Sequence, residues 1–297
     1  MTGTAWIVAA VLATAIWPFS TGAEEAKANR LFGAIAAGST QDPDPVGSYA
    51  KGCLAGGLQL PDSGPTWQAM RLSRNRNWGH PALLDYVIDL SERAAKLGWN
   101  GLYIGDMSQP RGGPMTSGHR SHQIGLDVDI WMLPPERLNL TKEERESKSS
   151  ISIRTPDQKN LSGNWTDTHM EILKAAAEHP MVDRIFVTAP AKIHMCRHAG
   201  KDRAWLQRIR PLYGHHYHFH VRLKCPPGST ECVTQTPTAA QLSKGGDGCD
   251  ATLRWWVTGY LEELKKPPKE PAVPVRGVRD YTMADLPERC TQVLASN

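Results

Sequence analysis

The sequence predicts an α+β fold, and three observations predict this class. Apolar residues at helical spacing alternate along the chain with short segments in which every second residue is apolar. These helical and strand-like segments follow no regular βαβ period, which disfavours a doubly wound parallel sheet. The 297 residues are 40% hydrophobic and 22% charged, which is enough for a large core. This composition excludes a disordered chain, a collagen-like repeat and a polytopic membrane protein.

The first predicted element is an apolar leader over residues 5–19. The leader is shorter than the roughly 20 residues that a membrane span needs. Small residues at Thr21 and Ala23 fit signal-peptidase cleavage after Ala23. We therefore predict that residues 1–23 form a signal peptide and that the mature protein is exported. Residues 24–50 are polar and small, and we expect an irregular lead-in there.

The predicted helices and strands lie between residues 80 and 223. The clearest helix begins at Pro81 and carries an apolar stripe up to Leu97, where Gly98 fits a C-terminal cap. A capping box formed by Thr168 and Glu171 predicts a second helix through Ala177. A short helix is expected over 202–208, a surface excursion over 134–165, and strands over 101–105, 125–131, 184–187 and 218–223. The Pro-rich stretch 265–275 predicts an extended segment and opens a C-terminal extension, 265–297.

Six cysteines lie outside the leader, and no two of them form a Cys-x-x-Cys pair. This spacing disfavours a zinc ribbon or a thioredoxin-like site. An even number of cysteines in an exported protein predicts three disulfides, for which about 15 pairings exist.

The charge balance gives no sign of nucleic-acid binding. The chain has 34 Lys and Arg residues against 30 Asp and Glu residues, a net charge of +4, and no long basic block. A mildly basic surface suits a protein that approaches an acidic polymer.

Histidines concentrate in two windows, 119–122 and 215–220, which together hold six of the chain's eleven. His122 precedes Asp129 by seven residues, and Asp129 falls in a predicted strand. His218 and His220 share one face of another predicted strand, because side chains alternate along a strand. If these strands pair, two imidazoles and a carboxylate converge. The alternative is a set of exposed histidines beside a turn, which explains the clustering less well.

This ligand set favours zinc. Imidazole and carboxylate are usual zinc ligands, and three protein ligands leave a fourth position for water. Zinc lowers the pKa of bound water towards about 7. A neighbouring histidine outside the ligand set can then take and return the proton.

These residues resemble a known group of enzymes. The pattern His122-x6-Asp129 followed by His218-x-His220 resembles the zinc peptidases grouped with lysostaphin, D-Ala-D-Ala carboxypeptidases and the hedgehog signalling domain. The strings GHRSHQIGLDVDI and DRAWLQRIRPLYGHHYHFHVRLKCP are similar to the penicillin-insensitive murein endopeptidases. The similarity extends over residues 47–290, and a zinc endopeptidase domain is therefore expected over 24–264.

The resemblance implies an antiparallel sheet that carries a single zinc site, flanked by helices and disulfide-braced loops. It implies hydrolysis of peptidoglycan cross-links in the periplasm, chiefly of the D-alanyl–meso-diaminopimelyl bond. Peptidoglycan is then the expected partner, with no nucleic acid and no membrane after signal cleavage. A homodimer stays open. The alternatives are a D,D- or L,D-carboxypeptidase and a non-catalytic zinc-containing wall-binding module.

The resemblance also assigns roles to single residues. The matched zinc ligands are His122, Asp129 and His220, and His119 matches a histidine that can also approach the metal. His218 and His215 match active-site histidines. The implied disulfides are Cys53–Cys290, Cys196–Cys249 and Cys225–Cys232. Asn160 stands where a histidine would hold a second zinc, and asparagine is a poor zinc ligand, which argues against that second site.

Overall fold

The computed structural model describes residues 1–2, 26–267 and 276–296. The strands of these ranges are β1 (Asp44–Ser48), β2 (Lys51–Ala55), β3 (Leu58–Gln59), β4 (Trp67–Ala69), β5 (Trp78–Gly79), β6 (Leu102–Ile104), β7 (Asp127–Trp131), β8 (Val182–Val187), β9 (Ile209–Pro211) and β10 (His218–Leu223). The helices are α1 (Ala28–Gly33), α2 (Pro81–Lys96), α3 (Lys142–Ser147), α4 (Asp167–Glu178), α5 (Ala189–His198), α6 (Ala239–Leu242), α7 (Gly259–Glu263) and α8 (Arg289–Ala295). The whole predicted leader, 5–19, the predicted signal peptide from residue 3 onward, and residues 268–275 of the Pro-rich stretch lie outside the described residues.

A six-stranded sheet, in the order β4-β6-β7-β10-β8-β9, forms the centre of the molecule. Its four middle strands are antiparallel, but the outer pairs β4–β6 and β8–β9 are parallel. The prediction of an antiparallel sheet is therefore wrong at both edges. Each parallel pair is joined by a connection that contains a helix, α2 at one edge and α5 at the other, and such crossovers return the chain in the same direction.

The register of β7 and β10 fixes the position of the predicted ligands. His220 lies opposite Asp129, and Arg222 lies opposite Asp127. Directly opposed residues project to the same face of the sheet. The expected pairing of these two strands is thus confirmed, and it brings an imidazole beside a carboxylate.

Two amphipathic helices, α2 and α4, lie against each other and supply apolar side chains to the core around the sheet. Helix α2 begins at Pro81 as predicted, and the His80 Nδ1 accepts the Ala82 backbone N–H at 3.1 Å. Burying such apolar side chains contributes about 1.5–3 kcal/mol each. Burial of the apolar stripe seen in the sequence therefore positions helix α2 against the core.

Helix α4 begins with a different capping box from the predicted one. Thr166 is its N-cap, and the Nδ1 of His169 accepts the Thr166 backbone N–H at 3.1 Å. The His169 ring is buried, and its Nε2 lies 2.9 Å from the carbonyl oxygen of Met132. The prediction of a box from Thr168 to Glu171 is wrong because the buried histidine, with contacts on both ring nitrogens, sets where the helix begins.

Several elements lie where the sequence predicted irregular chain. Helix α1 and strand β1 fall within residues 24–50, and β1 forms a hairpin with β2. Helix α3 lies within the predicted excursion and has a complete capping box between Thr141 and Glu144. The prediction of an irregular lead-in is therefore wrong for part of its length. Strand β1 was not predicted because it contains Pro45 and Gly47, and both residue types are depleted in strands.

The three disulfides are the pairs that the resemblance implies: Cys53–Cys290, Cys196–Cys249 and Cys225–Cys232. The first joins β2 to α8 across 237 residues of sequence. Closing a loop of that length restricts the unfolded chain and contributes about 5 kcal/mol in the chain-entropy model. The C-terminal extension is thereby fixed to the body, where Val293 of α8 packs with Phe32 and Val46 in a second core. Among the described helices, none is long and apolar enough to cross a membrane.

Candidate metal centre and active-site cleft

The predicted histidines and carboxylates converge at one end of the β7–β10 pair. Asp129 comes from β7, and His218 and His220 come from β10. His119 and His122 come from the loop that leads into β7. His122 is fully buried and has a positive φ of 68°, so the loop turns sharply there and directs its side chain inward.

Asp129 is the centre of this cluster. Its Oδ1 lies 3.5 Å from the His122 Nε2 and 3.1 Å from the His220 Nδ1. Its Oδ2 lies 3.5 Å from the His119 Nδ1 and 3.5 Å from the His218 Nε2. Burial would raise the pKa of Asp129, but the surrounding imidazoles hold it well below its usual range. One buried carboxylate thus faces four of the predicted site histidines.

The polar atoms of this cluster fit a cation. Both ring nitrogens of His122, the Asp129 Oδ1 and the His220 Nε2 are buried and have no hydrogen-bond partner. Buried polar atoms normally have a hydrogen-bond partner, and a bound cation would be the missing partner of these atoms. Donor atoms of His119, His122 and Asp129 all lie within 4.8 Å of one another. His220 falls outside that tight group, although its Nδ1 contacts the same carboxylate.

A second carboxylate, Asp127, contacts two of the candidate ligand residues, His122 and His220. Its Oδ2 accepts the His122 backbone N–H at 3.0 Å, and its Oδ1 lies 3.1 Å from the His220 Nε2 without the alignment of a hydrogen bond. Arg222 donates to Asp127 from Nε at 2.7 Å and from Nη2 at 3.0 Å. Burial would raise the pKa of Asp127, but Arg222 and His220 hold it well below its usual range. Asp127 therefore connects the backbone of one candidate ligand to the ring of another.

Asp106 had no predicted role, but this residue contacts the site directly. It is buried, accepts hydrogen bonds from Arg74 at 3.1 Å and Arg76 at 2.8 Å, and lies 3.1 Å from the His119 Nε2. Burial opposes ionisation, but His119 and the two arginines lower the pKa of Asp106 far below its usual value. Its position directly after a predicted strand was the one signal for it in the sequence.

His218 and His215 lie beside the cluster at its open side. The His218 side chain is 24% exposed, and its ring centroid is 5.0 Å from that of His215. Burial, with His218 and His220 nearby, lowers the pKa of His215 to about 3. The neighbouring His216, which had no predicted role, instead approaches the Ser152 hydroxyl at 2.9 Å.

A cleft of about 410 Å³ opens over His119, Asp129 and His218. Arg71 and Arg74 line its wall, and Arg74 is already paired with Asp106. The Arg71 guanidinium donates to the Lys148 carbonyl at 2.9 Å, lies 6.0 Å from the Trp131 ring centroid and has no carboxylate partner among the described residues. Arg71 also has a positive φ of 59°, a strained conformation that is often found at functional sites.

The stretch predicted to lack a second zinc site lies away from this cleft. The Asp157 Oδ1 accepts hydrogen bonds from the Thr155 hydroxyl at 2.5 Å and the Lys159 backbone N–H at 3.1 Å. Asn160 lines a different groove. The single zinc site therefore stays a prediction.

The fold and the site together define a candidate metallohydrolase. An ionised carboxylate and several imidazoles lie on a sheet at the floor of an open cleft, an arrangement typical of hydrolytic metal centres.

The chain belongs to the penicillin-insensitive murein endopeptidase family, whose sequence profile matches residues 45–295. It is 40% identical over 212 residues to the penicillin-insensitive murein endopeptidase of Haemophilus influenzae, covering 71% of this chain and 72% of that protein. It is 37% identical over 250 residues to that of Klebsiella pneumoniae, with coverage of 84% and 85%. Identity to that of Yersinia enterocolitica is 39% over 226 residues, with coverage of 75% and 79%. The resemblance found in the motifs is confirmed.

Proposed function

We propose that this protein is a zinc-dependent endopeptidase that hydrolyses the D-alanyl–meso-diaminopimelyl cross-links of peptidoglycan in the periplasm. The observation that carries the proposal is the buried Asp129 carboxylate, which faces four imidazoles at the floor of a cleft. Family membership supports the reaction, since the relatives are named as murein endopeptidases. The three disulfides support an oxidising compartment, as the predicted signal peptide does.

The residues that would hold zinc are His122, Asp129 and His220, with His119 close enough to approach it. Their unpartnered buried nitrogen and oxygen atoms support this assignment. When bound, zinc would polarise the scissile carbonyl and lower the pKa of a water molecule.

His218 is the residue placed to handle protons in this reaction. It contacts the buried Asp129 carboxylate and lines the open cleft, so its imidazole would reach a substrate bound there. It would accept a proton from the attacking water and return it to the leaving amine, with His215 packed against it. No serine nucleophile takes part, so a β-lactam would have no hydroxyl to acylate.

The position of Arg71 in the cleft supports a substrate that carries a carboxylate, such as the diaminopimelyl cross-link. The diaminopimelyl residue of the cross-link carries a carboxylate beside the scissile amide nitrogen. Arg71 lines the cleft and lacks a carboxylate partner, and guanidinium binds a carboxylate through two parallel hydrogen bonds. This contact would orient the amide over the Asp129 cluster.

The test is the cleavage of a purified cross-linked muropeptide dimer by the zinc-loaded protein, with the products resolved by mass. We expect conversion to monomers, loss of that conversion with a chelator and its return with added zinc. Release of a terminal D-alanine alone would assign a carboxypeptidase instead. An intact dimer in the presence of folded, zinc-bound protein would overturn the proposal in favour of a wall-binding module.

A further inference from the structure

A second concave surface, which we call the distal groove, shares no lining residue with the cleft. Its volume is about 900 Å³, more than twice that of the cleft at about 410 Å³. Helix α5 and the 3₁₀ segment Ala251–Val257 form much of its wall, together with Lys159 and Asn160. The proposed function gives this groove no role.

Three cations line the distal groove without a partner. The side chains of Lys159, Arg197 and Arg254 are exposed and, within the described ranges, make no ion pair or hydrogen bond. The acidic residue of the wall, Asp250, forms no ion pair with them among the described residues; its carboxylate accepts the Thr252 backbone N–H at 2.8 Å. The groove therefore presents more positive than negative charge to solvent.

An exposed aromatic side chain neighbours one of these cations in the chain, although it is not among the residues that line the groove. Trp255 follows Arg254 and is 47% exposed. Its ring packs against Trp256 and Tyr260, with centroids 5.5 Å and 5.2 Å apart. Indole faces supply rigid apolar contact area at low entropic cost. This apolar surface follows directly on Arg254 in the chain, and the exposed cations of the groove suit a ligand that carries carboxylates.

The wall of the groove is held firmly. The Cys196–Cys249 disulfide joins α5 to the segment that precedes Ala251. Arg203 donates to the Cys196 carbonyl at 3.0 Å and to the Asp247 carboxylate at 2.7 Å. A binding surface fixed before the ligand arrives loses less entropy on binding.

We propose that the distal groove is a second peptidoglycan-binding site, which takes the carboxylates of a stem peptide other than the one being cleaved. This inference rests on the proposed function, because the polymer is the same. Peptidoglycan carries carboxylate-bearing peptides at regular intervals, so its charge complements the groove. One chain that binds the polymer at two sites gains avidity from the high effective concentration at the second site.

The experiment compares two variants that remove the same number of positive charges. The groove variant is K159Q/R197Q/R254Q, and the matched control, R30Q/K96Q/K142Q, changes exposed cations that lie outside the groove. Binding to purified sacculi is measured by co-sedimentation with a chelator present to prevent digestion. Cleavage of the soluble muropeptide dimer is measured separately in the presence of zinc.

We expect the groove variant to bind sacculi about 10-fold or more weakly, as loss of one of two linked sites predicts. Its cleavage of the soluble dimer should match that of the wild type, and the control should bind sacculi normally. Equal binding by both variants, whether strong or weak, would overturn the inference. A wild-type protein that cleaves the dimer but does not bind sacculi would also overturn it and leave the proposed function intact. Failure to cleave the dimer, with groove-dependent binding retained, would overturn the proposed function alone.

Discussion

The cleft and the distal groove differ in how their charged side chains are held. In the cleft, Asp127 and Asp129 project from paired strands, are buried and have fixed neighbours within 3.5 Å. In the groove, Lys159 and Arg254 are exposed and end in solvent. Chemistry needs reacting groups held to within about half an ångström, whereas a polymer can be bound by mobile cations. The difference separates a site built for reaction from one built for attachment.

This comparison also predicts how substitutions should behave. A change at the cleft alters several coupled contacts at once. Asp127, for example, contacts three groups: Arg222, His220 and the backbone of His122. A change in the groove should alter only binding. The variants below test this separation.

The largest effect is expected from His122→Ala, which removes a fully buried candidate ligand. Zinc content should fall from about one ion per chain to near zero, and hydrolysis should fall to background. Elemental analysis and cleavage of the muropeptide dimer measure the two quantities. Asp129→Ala and His220→Ala should behave in the same way.

The control for this ligand set is His198→Ala, since His198 is exposed and stacks on His194 at a centroid distance of 4.0 Å. It should leave both zinc content and hydrolysis unchanged. Full activity of a zinc-free His122→Ala protein would show that the cluster is not a metal centre.

The next effect is expected from His218→Ala. This variant should keep its zinc, while kcat falls about 10²- to 10⁴-fold, as the loss of a proton-transfer group predicts. Steady-state kinetics and zinc content, measured on the same preparation, separate the two roles. His216→Ala is the matched control, because His216 lies in the turn that leads into β10 and contacts Ser152 rather than the cluster. Normal turnover in His218→Ala would remove His218 from the mechanism.

A smaller effect is expected from Asp127→Asn, which keeps the shape of the side chain and removes its charge. Zinc affinity should fall about 10- to 100-fold, the usual loss when a residue that orients metal ligands is changed. Competition with a chromophoric chelator measures it. Asp183→Asn changes a carboxylate of the same sheet that pairs with Arg184, and it should leave the affinity unchanged. Equal affinities in both variants would limit Asp127 to a role in folding.

The sequence predicted the cleft better than the rest of the molecule. The alternation of Asp127 with Asp129 and of His218 with His220 specifies which side chains share a strand face. The pairing of the two strands then brings these faces together. Asp106 was missed because its partners Arg76 and His119 meet it through tertiary contacts, not through a local spacing.

Local sequence patterns could not predict two other features of the molecule. The parallel edges of the sheet depend on two short strands, β4 and β9, of three residues each. The distal groove brings together Lys159, Arg197 and Arg254, which belong to separate segments of the chain. Only the folded chain places these residues side by side.

The smallest effect concerns Lys192, which braces the segment beside the distal groove. Its side chain is fully buried and donates to the Leu206 carbonyl at 2.6 Å and the Asp247 carbonyl at 2.9 Å. Burial, with Arg210 nearby, lowers the pKa of Lys192 to about 7, against the partial opposition of Asp247. In the unfolded chain its pKa is about 10.4.

Between these two pKa values the unfolded state binds more protons than the folded state. The Lys192 contribution therefore makes the free energy of unfolding rise with pH from about 7 to 10, by at most about 1.4 kcal/mol per unit. Lys192→Met should remove this part of the slope, and Lys201→Met, which changes an exposed lysine, should keep it. Denaturant unfolding at several pH values with the disulfides intact measures the slope. If wild type and Lys192→Met gave parallel profiles, the lysine would have to stay charged in its buried position, and its two carbonyl contacts would then stabilise the ammonium form.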